Sequence, residues 1–475
     1  MIVIICDATR QIGYGHLKRC LVLAGLYRKL GLLVTFLMRE ATPVVRMLLK
    51  DRDMEFAVIS DHGQCRPYLV EKKDRIKLVI IDHYEIGADI EQEIFAIFPV
   101  VVMDDLCRSH WCHLLVDQTP NCKAHTYEKK MFNPSARILS GSNFILIDPV
   151  YDKIKSNGDK TNILISFGAT DPEQVALKVL DILEPFMATK GLVFHLPLSS
   201  MSPCVEELEK RRDSFRLDIR LYRDLPDLCP LYEICGIAIG APGTSLLERI
   251  YCGLINIVIV VAPNQRQVGE NISRQGAALC LGEISSLDPL LLTRTLTQMI
   301  EVPAVGKNLQ KQAIGLVDGN GPARVIKETI DLISPVSLRL VNENDLELLY
   351  KWQHEKGARR YFRKPDLPTK KEHRLWFDRM LSCDYVTIHI IEWCNGAIGY
   401  IRLNCNGSKN EVSVLIAQKF QGLGFAKKAL EKIIQTQKQC YTAVVHPENK
   451  ASIGLFSSLG FQSAGKGEYV YDAAP

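Results

Sequence analysis

The sequence predicts an α/β protein, two successive units built on parallel sheets with covering helices, followed by a smaller α+β domain. Short β-rich apolar runs alternate with helical patterns along most of the chain, as parallel strands joined by helical crossovers require. A polar break at Tyr151 to Lys160, with Asp152, Ser156, Asn157, Gly158 and Asp159, separates the first two units, and Pro335 closes the second. The 475 residues fit about three domains at roughly 150 residues each. The expected boundaries are 1–150, 151–333 and 336–475.

In the first unit the strands are expected at Met1 to Cys6, Leu33 to Met38, Phe56 to Ile59, Leu78 to Ile81 and Val100 to Met103. A helix is expected from Gly15 to Leu30, ended by Gly31. The second unit places strands at Asn162 to Ser166, Leu192 to Leu196, Ile237 to Ile239 and Asn256 to Val261, with a last helix after Gly321 and Pro322.

Composition excludes several functions. The charge of +4 is spread over 58 basic and 54 acidic residues without a run of like charges, so no nucleic-acid partner is expected and small anionic ligands fit better. The longest apolar stretch, Leu254 to Pro263, falls far short of the roughly 20 residues that span a bilayer. Met1 to Cys6 runs straight into Asp7 and reads as a first strand, not a signal peptide, so a cytoplasmic location is expected. The 15 cysteines are scattered and read as reduced thiols. Cys107, His110, Cys112 and His113 are the one candidate zinc cluster, but they are too cramped for paired ligand knuckles, and a loop with partly buried Cys and His is preferred. No metal is expected.

The first strand leads into Gln11-Ile12-Gly13-Tyr14-Gly15-His16 and then a helix with Leu17, Cys20, Leu21 and Ala24 on its apolar face. Glycines allow close backbone approach, and free N–H groups at a helix start favour negative charge, so this turn suits a diphosphate. His16 stands at its lip, where an imidazole takes a proton from water near neutral pH. In the second unit, Ser166-Phe167-Gly168-Ala169-Thr170-Asp171-Pro172 closes a strand with a small-residue turn. Gly240-Ala241-Pro242-Gly243-Thr244-Ser245 opens a helix carrying Glu248, with Thr244 or Ser245 expected as its cap and Glu248 expected to accept ribose hydroxyls or to serve a capping box.

These motifs, with Arg19, Asp82-His83-Tyr84, Asp104-Asp105 and Asn264-Gln265, resemble the nucleotide-sugar hydrolase family of pseudaminic acid biosynthesis across most of residues 1 to 330. The resemblance implies a GT-B-like pair of Rossmann-like domains, UDP held mainly by the second, and inverting hydrolysis at the anomeric carbon of a UDP-2,4-diacetamido-2,4,6-trideoxy sugar. His16 matches the general base; Asp7 and Asp82, each at an expected strand end, are placed to orient it or polarise the water, or else simply to cap a loop. The implied UDP-sugar contacts are Gly13, Tyr14, Gly15, Arg19, Gly168, Thr170, Gly243, Thr244, Ser245, Glu248, Asn264 and Gln265. Gly141-Ser142-Asn143-Phe144 and Asp148 depart from the family pattern.

In the last domain, the strand Glu411 to Ala417 leads into Gln421-Gly422-Leu423-Gly424-Phe425-Ala426 and a helix, a turn whose N–H groups suit a pyrophosphate. With the strand Tyr441 to Val445, the stretch His446 to Ser452 and Leu459-Gly460-Phe461, this order resembles GNAT-type acetyltransferases across 336 to 475. The resemblance implies acetyl-CoA as co-substrate, held by Gln421, Gly422, Gly424, Ala426 and Asn449, and a sugar amine as acceptor. Phe456 stands where many relatives place a proton-donating Tyr, which leaves Tyr469, Tyr471 or water for that role, or a slow transfer. Trp352 reads as core.

The two activities are consecutive if the chain acetylates a 4-amino UDP-sugar and then releases UDP, delivering a free sugar to a nonulosonic acid synthase. The same nucleotide site would serve a glycosyltransferase, which needs an acceptor, or a binding protein without turnover.

Overall fold

The computed structural model describes residues 1–9, 13–154, 158–200, 202–211, 214–407, 409–437 and 439–472, residue 406 by its backbone alone. Gln11 and Ile12 of the first turn, and Ser156 and Asn157 of the polar break, lie outside the described residues. The chain forms two compact units, Met1–Glu328 and Thr329–Pro475.

The first unit holds two parallel sheets. One contains β1 (Ile2–Cys6), β2 (Val34–Met38), β3 (Glu55–Val58), β4 (Leu78–Asp82), β5 (Val100–Met103), β6 (Leu114–Asp117) and β7 (Arg137–Ser140), in the order β3-β2-β1-β4-β5-β6-β7. The other contains β8 (Asp159–Ser166), β9 (Val193–Leu198), β10 (Asp218–Arg223), β11 (Cys235–Gly240), β12 (Ile255–Val260) and β13 (Leu279–Glu283), in the order β10-β9-β8-β11-β12-β13. Every residue of β1, β4, β11 and β12 is buried, as strands covered by helices on both faces must be. Two Rossmann-like sheets are what the resemblance implies.

Each sheet reverses its strand order once, between β1 and β4 and between β8 and β11. At such a switch point the following connections leave in opposite directions and open a crevice beyond the strand ends. The turn carrying His16 follows β1, Asp82 ends β4, the Ser166 turn follows β8 and the Gly243 turn follows β11. All four motifs therefore occupy crevices.

The helix Gly15–Lys29 ends as expected, at Gly31, whose φ of 90° closes a bond from its N–H to Arg28 O. The strands β6, β7, β10 and β13 do not follow from the apolar pattern. β7 and β10 are edge strands without a fully buried residue, so the continuous apolar signal is absent.

The Cys107–His113 segment does not converge on a common point. His110 Nδ1 meets Glu91 Oε1 at 2.8 Å, His113 Nδ1 accepts from the Val100 N–H at 3.1 Å, and Cys112 is buried. Burial would lower the His110 pKa, but Asp104 and Glu91 overcome this and raise it to about 8.

The second unit is one seven-stranded sheet of β14 (Ser337–Leu340), β15 (Val386–Trp393), β16 (Gly396–Asn406), β17 (Lys409–Ile416), β18 (Cys440–Val444), β19 (Gln462–Gly465) and β20 (Glu468–Tyr471). Its order is β14-β15-β16-β17-β18-β20-β19, antiparallel except for the β17–β18 pair. Trp352 is 3% exposed and stacks on Tyr400 at 6.4 Å, so it belongs to the core. Among the described residues no helix is long and apolar enough to cross a membrane.

A Cβ at Gly240 would sit 2.2 Å from the Ser166 carbonyl oxygen, where the backbone cannot give way. Gly240→Ala is expected to lower the unfolding free energy of the first unit, read from denaturant titration, by about 1–3 kcal/mol, whereas Gly25→Ala, in open space within a helix, gains up to about 1 kcal/mol. Because the His110 pKa is raised on folding, its stabilisation is complete below the usual imidazole value and lost as pH rises through about 8. The cost of His110→Gln in urea unfolding is expected to be about 2 kcal/mol larger at pH 6 than at pH 9.

Candidate active site

The helix Gly15–Lys29 begins one residue before His16, which fixes the imidazole over the end of β4. Gly13, at φ 78°, turns the chain into it. His16 Nδ1 lies 2.5 Å from Asp82 Oδ1, with the two side chains 8% and 0% exposed. Burial alone would raise the Asp82 carboxyl, but Arg19 and then His16 overcome it and hold the carboxyl well below the usual range. An ionised carboxylate only accepts, so in this pair Nδ1 is the donor, and Nε2 is the ring nitrogen through which a neutral imidazole would accept a proton.

Arg19 fixes this arrangement. Its Nε donates to Asp82 Oδ2 and its Nη2 to Oδ1, both at 2.6 Å, a bidentate pair that sets the carboxylate plane. Its Nη1 reaches Asp105 Oδ2 at 3.1 Å, and Asp105 Oδ1 accepts from the Tyr84 hydroxyl at 2.9 Å. Tyr84 in turn meets the His16 ring edge-on at 4.5 Å. Sequence spacing could not join these residues, because they meet only when β1, β4 and β5 lie side by side.

Asp7 is placed differently from the expectation that it orients His16. Its Oδ1 accepts from the Arg39 N–H at 2.8 Å, and its Oδ2 from Arg39 Nε at 2.5 Å and His83 Nε2 at 2.9 Å. Against burial, His83 and Arg39 hold its carboxyl well below the usual range. His62 meets His83 edge-on at 4.4 Å, and Asp7, His62 and His83 bring three ligand atoms within 4.8 Å of one another. This trio could face a cation, but as found Arg39 already neutralises Asp7, and His83 Nδ1 accepts from the Glu85 N–H, which leaves the His83 proton on Nε2. The donor set is that of an ion-pair network. Arg39 and His62 carry no motif; their signal is a polar residue just beyond a strand end.

Across the crevice, Gly168 adopts φ 101°, and the buried Thr170 follows it. Asp171 accepts from the Val175 and Ala176 N–H groups at 2.9 and 2.8 Å and caps the next helix. Gly243, not Thr244 or Ser245, is the cap residue of the helix Thr244–Tyr251, and it leaves the first-turn N–H groups without a side-chain partner. A Cβ at Gly15 would stand 3.4 Å from Thr244 Oγ1, so the two helix starts converge. Glu248 is buried, and its Oε2 accepts from Tyr232 and Tyr151 at 3.0 and 3.3 Å, so one of the two oxygens expected to serve a ribose is engaged by protein. Arg249, fully buried, bonds Ala241 O and Asn256 Oδ1 and braces the turn from behind. Gln265 Oε1 closes its own loop on the Val261 N–H at 3.2 Å, and Asn264 beside it is exposed. Lys18, Arg19, Arg52, Asp148, Tyr151, Thr244 and Glu248 line a common cleft, with Arg52 and Asp148 paired across it at 2.6 Å.

In the second unit, β17 and β18 pair only from Lys409 to Glu411 against Cys440 to Thr442, then part. Gly422 and Gly424, at φ 77° and 86°, turn the chain after β17 into the helix Phe425–Gln437, whose first turn contains Ala426. Gln421 Nε2 anchors that turn on Ile416 O at 2.8 Å. Asn449 caps the helix Lys450–Ser458, its Oδ1 accepting from the Ser452 N–H at 3.1 Å. Phe456 is buried against Phe461, which also packs on Tyr471.

Comparison with known proteins follows this division. Residues 336–462 match the acetyltransferase (GNAT) domain family. The chain is 27% identical over 274 residues, 57% of its length and 95% of the other, to the UDP-2,4-diacetamido-2,4,6-trideoxy-beta-L-altropyranose hydrolase of Campylobacter jejuni. It is 28% identical over 204 residues, 42% of its length and 59% of the other, to the spore coat polysaccharide biosynthesis protein SpsG of Bacillus subtilis. An uncharacterized protein of Methanocaldococcus jannaschii is 21% identical over 515 aligned residues, 99% of both chains. The N-terminal part is thus homologous to a nucleotide-sugar hydrolase and to a polysaccharide-biosynthesis protein, and the C-terminal part is a GNAT acetyltransferase domain.

Proposed function

We propose that residues 1–333 hydrolyse a UDP-2,4-diacetamido-2,4,6-trideoxy sugar with inversion, and that residues 336–475 acetylate the 4-amine of its UDP-linked precursor with acetyl-CoA, as steps toward a nonulosonic acid. The observation that carries the first half is the His16–Asp82 pair, whose Nε2 meets no hydrogen-bond partner among the described residues, beside two converging helix starts.

Water held by His16 Nε2 attacks the anomeric carbon from the face opposite UDP. Its proton passes to Nε2 as the new C–O bond forms, and the electron pair of the breaking C–O bond stays on the UDP oxygen. Asp82 stabilises the imidazolium, and Arg19 keeps the carboxylate aligned without lying on the proton's path. The N–H groups at Gly15 and Thr244 receive the charge that develops on the diphosphate. Glu248, with one oxygen held by tyrosines, offers the other to a ribose hydroxyl. In the second unit, the parted β17 and β18 leave ladder groups for the extended arm of acetyl-CoA, and the Gly422 turn faces its pyrophosphate. The free amine attacks the thioester carbonyl carbon, the C–S bond breaks, and the amine proton and CoA thiolate leave by way of solvent or a nearby hydroxyl.

Asp82→Asn is expected to reduce kcat for UDP release by about 100- to 10,000-fold with little change in KM; an unchanged kcat removes the pair from catalysis. Incubation with UDP-4-amino-4,6-dideoxy-β-L-AltNAc is expected to give UDP release that depends on acetyl-CoA. No UDP release from any 2,4-diamino UDP-sugar overturns the hydrolase reading, and release only with a sugar acceptor assigns a glycosyltransferase instead.

A further inference from the structure

The two helix starts that converge at Gly15 and Thr244 share a charge pattern that works against their own stability. Acidic residues in a first turn stabilise a helix by facing its positive end. The helices Gly15–Lys29 and Thr244–Tyr251 have none there, and no side chain caps either of them. Lys18, close to the start of the first helix, adds positive charge at the same end. For the helix alone a cation at this position is unfavourable, whereas an anion bound from outside would reverse the sign of the effect.

Lys18 lies three residues beyond Gly15 and therefore on the same helix face, the face on which a Cβ at Gly15 would stand 3.4 Å from Thr244 Oγ1. It is half-buried and shares a cleft with Thr244 and Glu248. The arginines of this region are already paired: Arg19 with Asp82 and Asp105, Arg39 with Asp7 and Glu85, and Arg52 with Asp148. Lys18 forms no ion pair or side-chain hydrogen bond among the described residues. The carboxylates along its cleft are engaged elsewhere, Asp148 by Arg52, Asp227 by the Cys229 N–H at 2.9 Å and Glu248 by two tyrosine hydroxyls. An ammonium on a flexible stem is a compact point charge that can follow a phosphate oxygen as its charge grows.

We propose that Lys18 is the charged contact of the leaving diphosphate, its ammonium binding the phosphate oxygens of UDP between the two helix starts. The proposal rests on the hydrolase reading above and adds to it a cation that the N–H groups alone do not supply. As the C–O bond to the sugar breaks, its electron pair stays on the UDP oxygen, and Lys18 offsets the added charge while remaining protonated throughout.

The test compares binding of UDP, by calorimetry, and of uridine, by saturation-transfer NMR, to the full chain and its Lys18→Met and Lys18→Arg variants at low salt. Lys18→Met is expected to raise the Kd for UDP at least about tenfold and to leave that for uridine within about twofold. Lys18→Arg keeps the charge and is expected to hold UDP within about threefold of the wild type. Equal UDP affinity in the wild type and Lys18→Met overturns the assignment, and so does a matching loss for uridine, which marks a structural role; either result leaves the hydrolase reading standing. A wild-type chain that binds no UDP overturns that reading, and the proposal with it.

Discussion

The buried Asp82 carboxylate organises the N-terminal site. Placing an anion at the end of a fully buried strand is affordable only because Arg19 grips both oxygens and His16 supplies a further hydrogen bond. The same contacts determine the chemistry. They hold His16 Nδ1 on the carboxylate and keep Asp82 ionised, well below the usual carboxyl range. Removing Arg19 would leave a buried charge half-compensated, so the fold and the base depend on one ion pair.

Around that pair, the two Rossmann-like sheets act as opposing anvils. Each opens a crevice where its strand order reverses, and each sends a helix start toward the other, at Gly15 and Thr244. Backbone N–H groups at a helix start are fixed donors that need no reorganisation when charge develops on a leaving diphosphate. In the proposed reaction such donors would stabilise the departing UDP, while the histidine pair activates the attacking water. The Asp7, Arg39 and His83 network beside it braces the neighbouring strand ends.

Much of this was legible in the residues because glycine turns and helix starts are local. The turn at Gly13 to His16, the helix that follows it and the Gly422 turn all lie where the pattern puts them. Pairing across the sheet was not legible. Asp7 and Asp82 both end strands, and nothing in their spacing says that Asp82 receives His16 while Asp7 receives His83; the β1–β4 adjacency and the path of the Gly15–Lys29 helix decide it. The cap at Gly243, the tyrosine hold on Glu248 and the loss of apolar signal in the edge strands β7 and β10 are likewise products of tertiary packing.

The central claim is that water, activated by His16, attacks the anomeric carbon and expels intact UDP. Hydrolysis in ¹⁸O-labelled water, quenched early and read by mass spectrometry, tests it most directly. The account predicts label in the released sugar and none in UDP. Label in a UDP phosphate would mean attack at phosphorus and would contradict the role given to the His16–Asp82 pair.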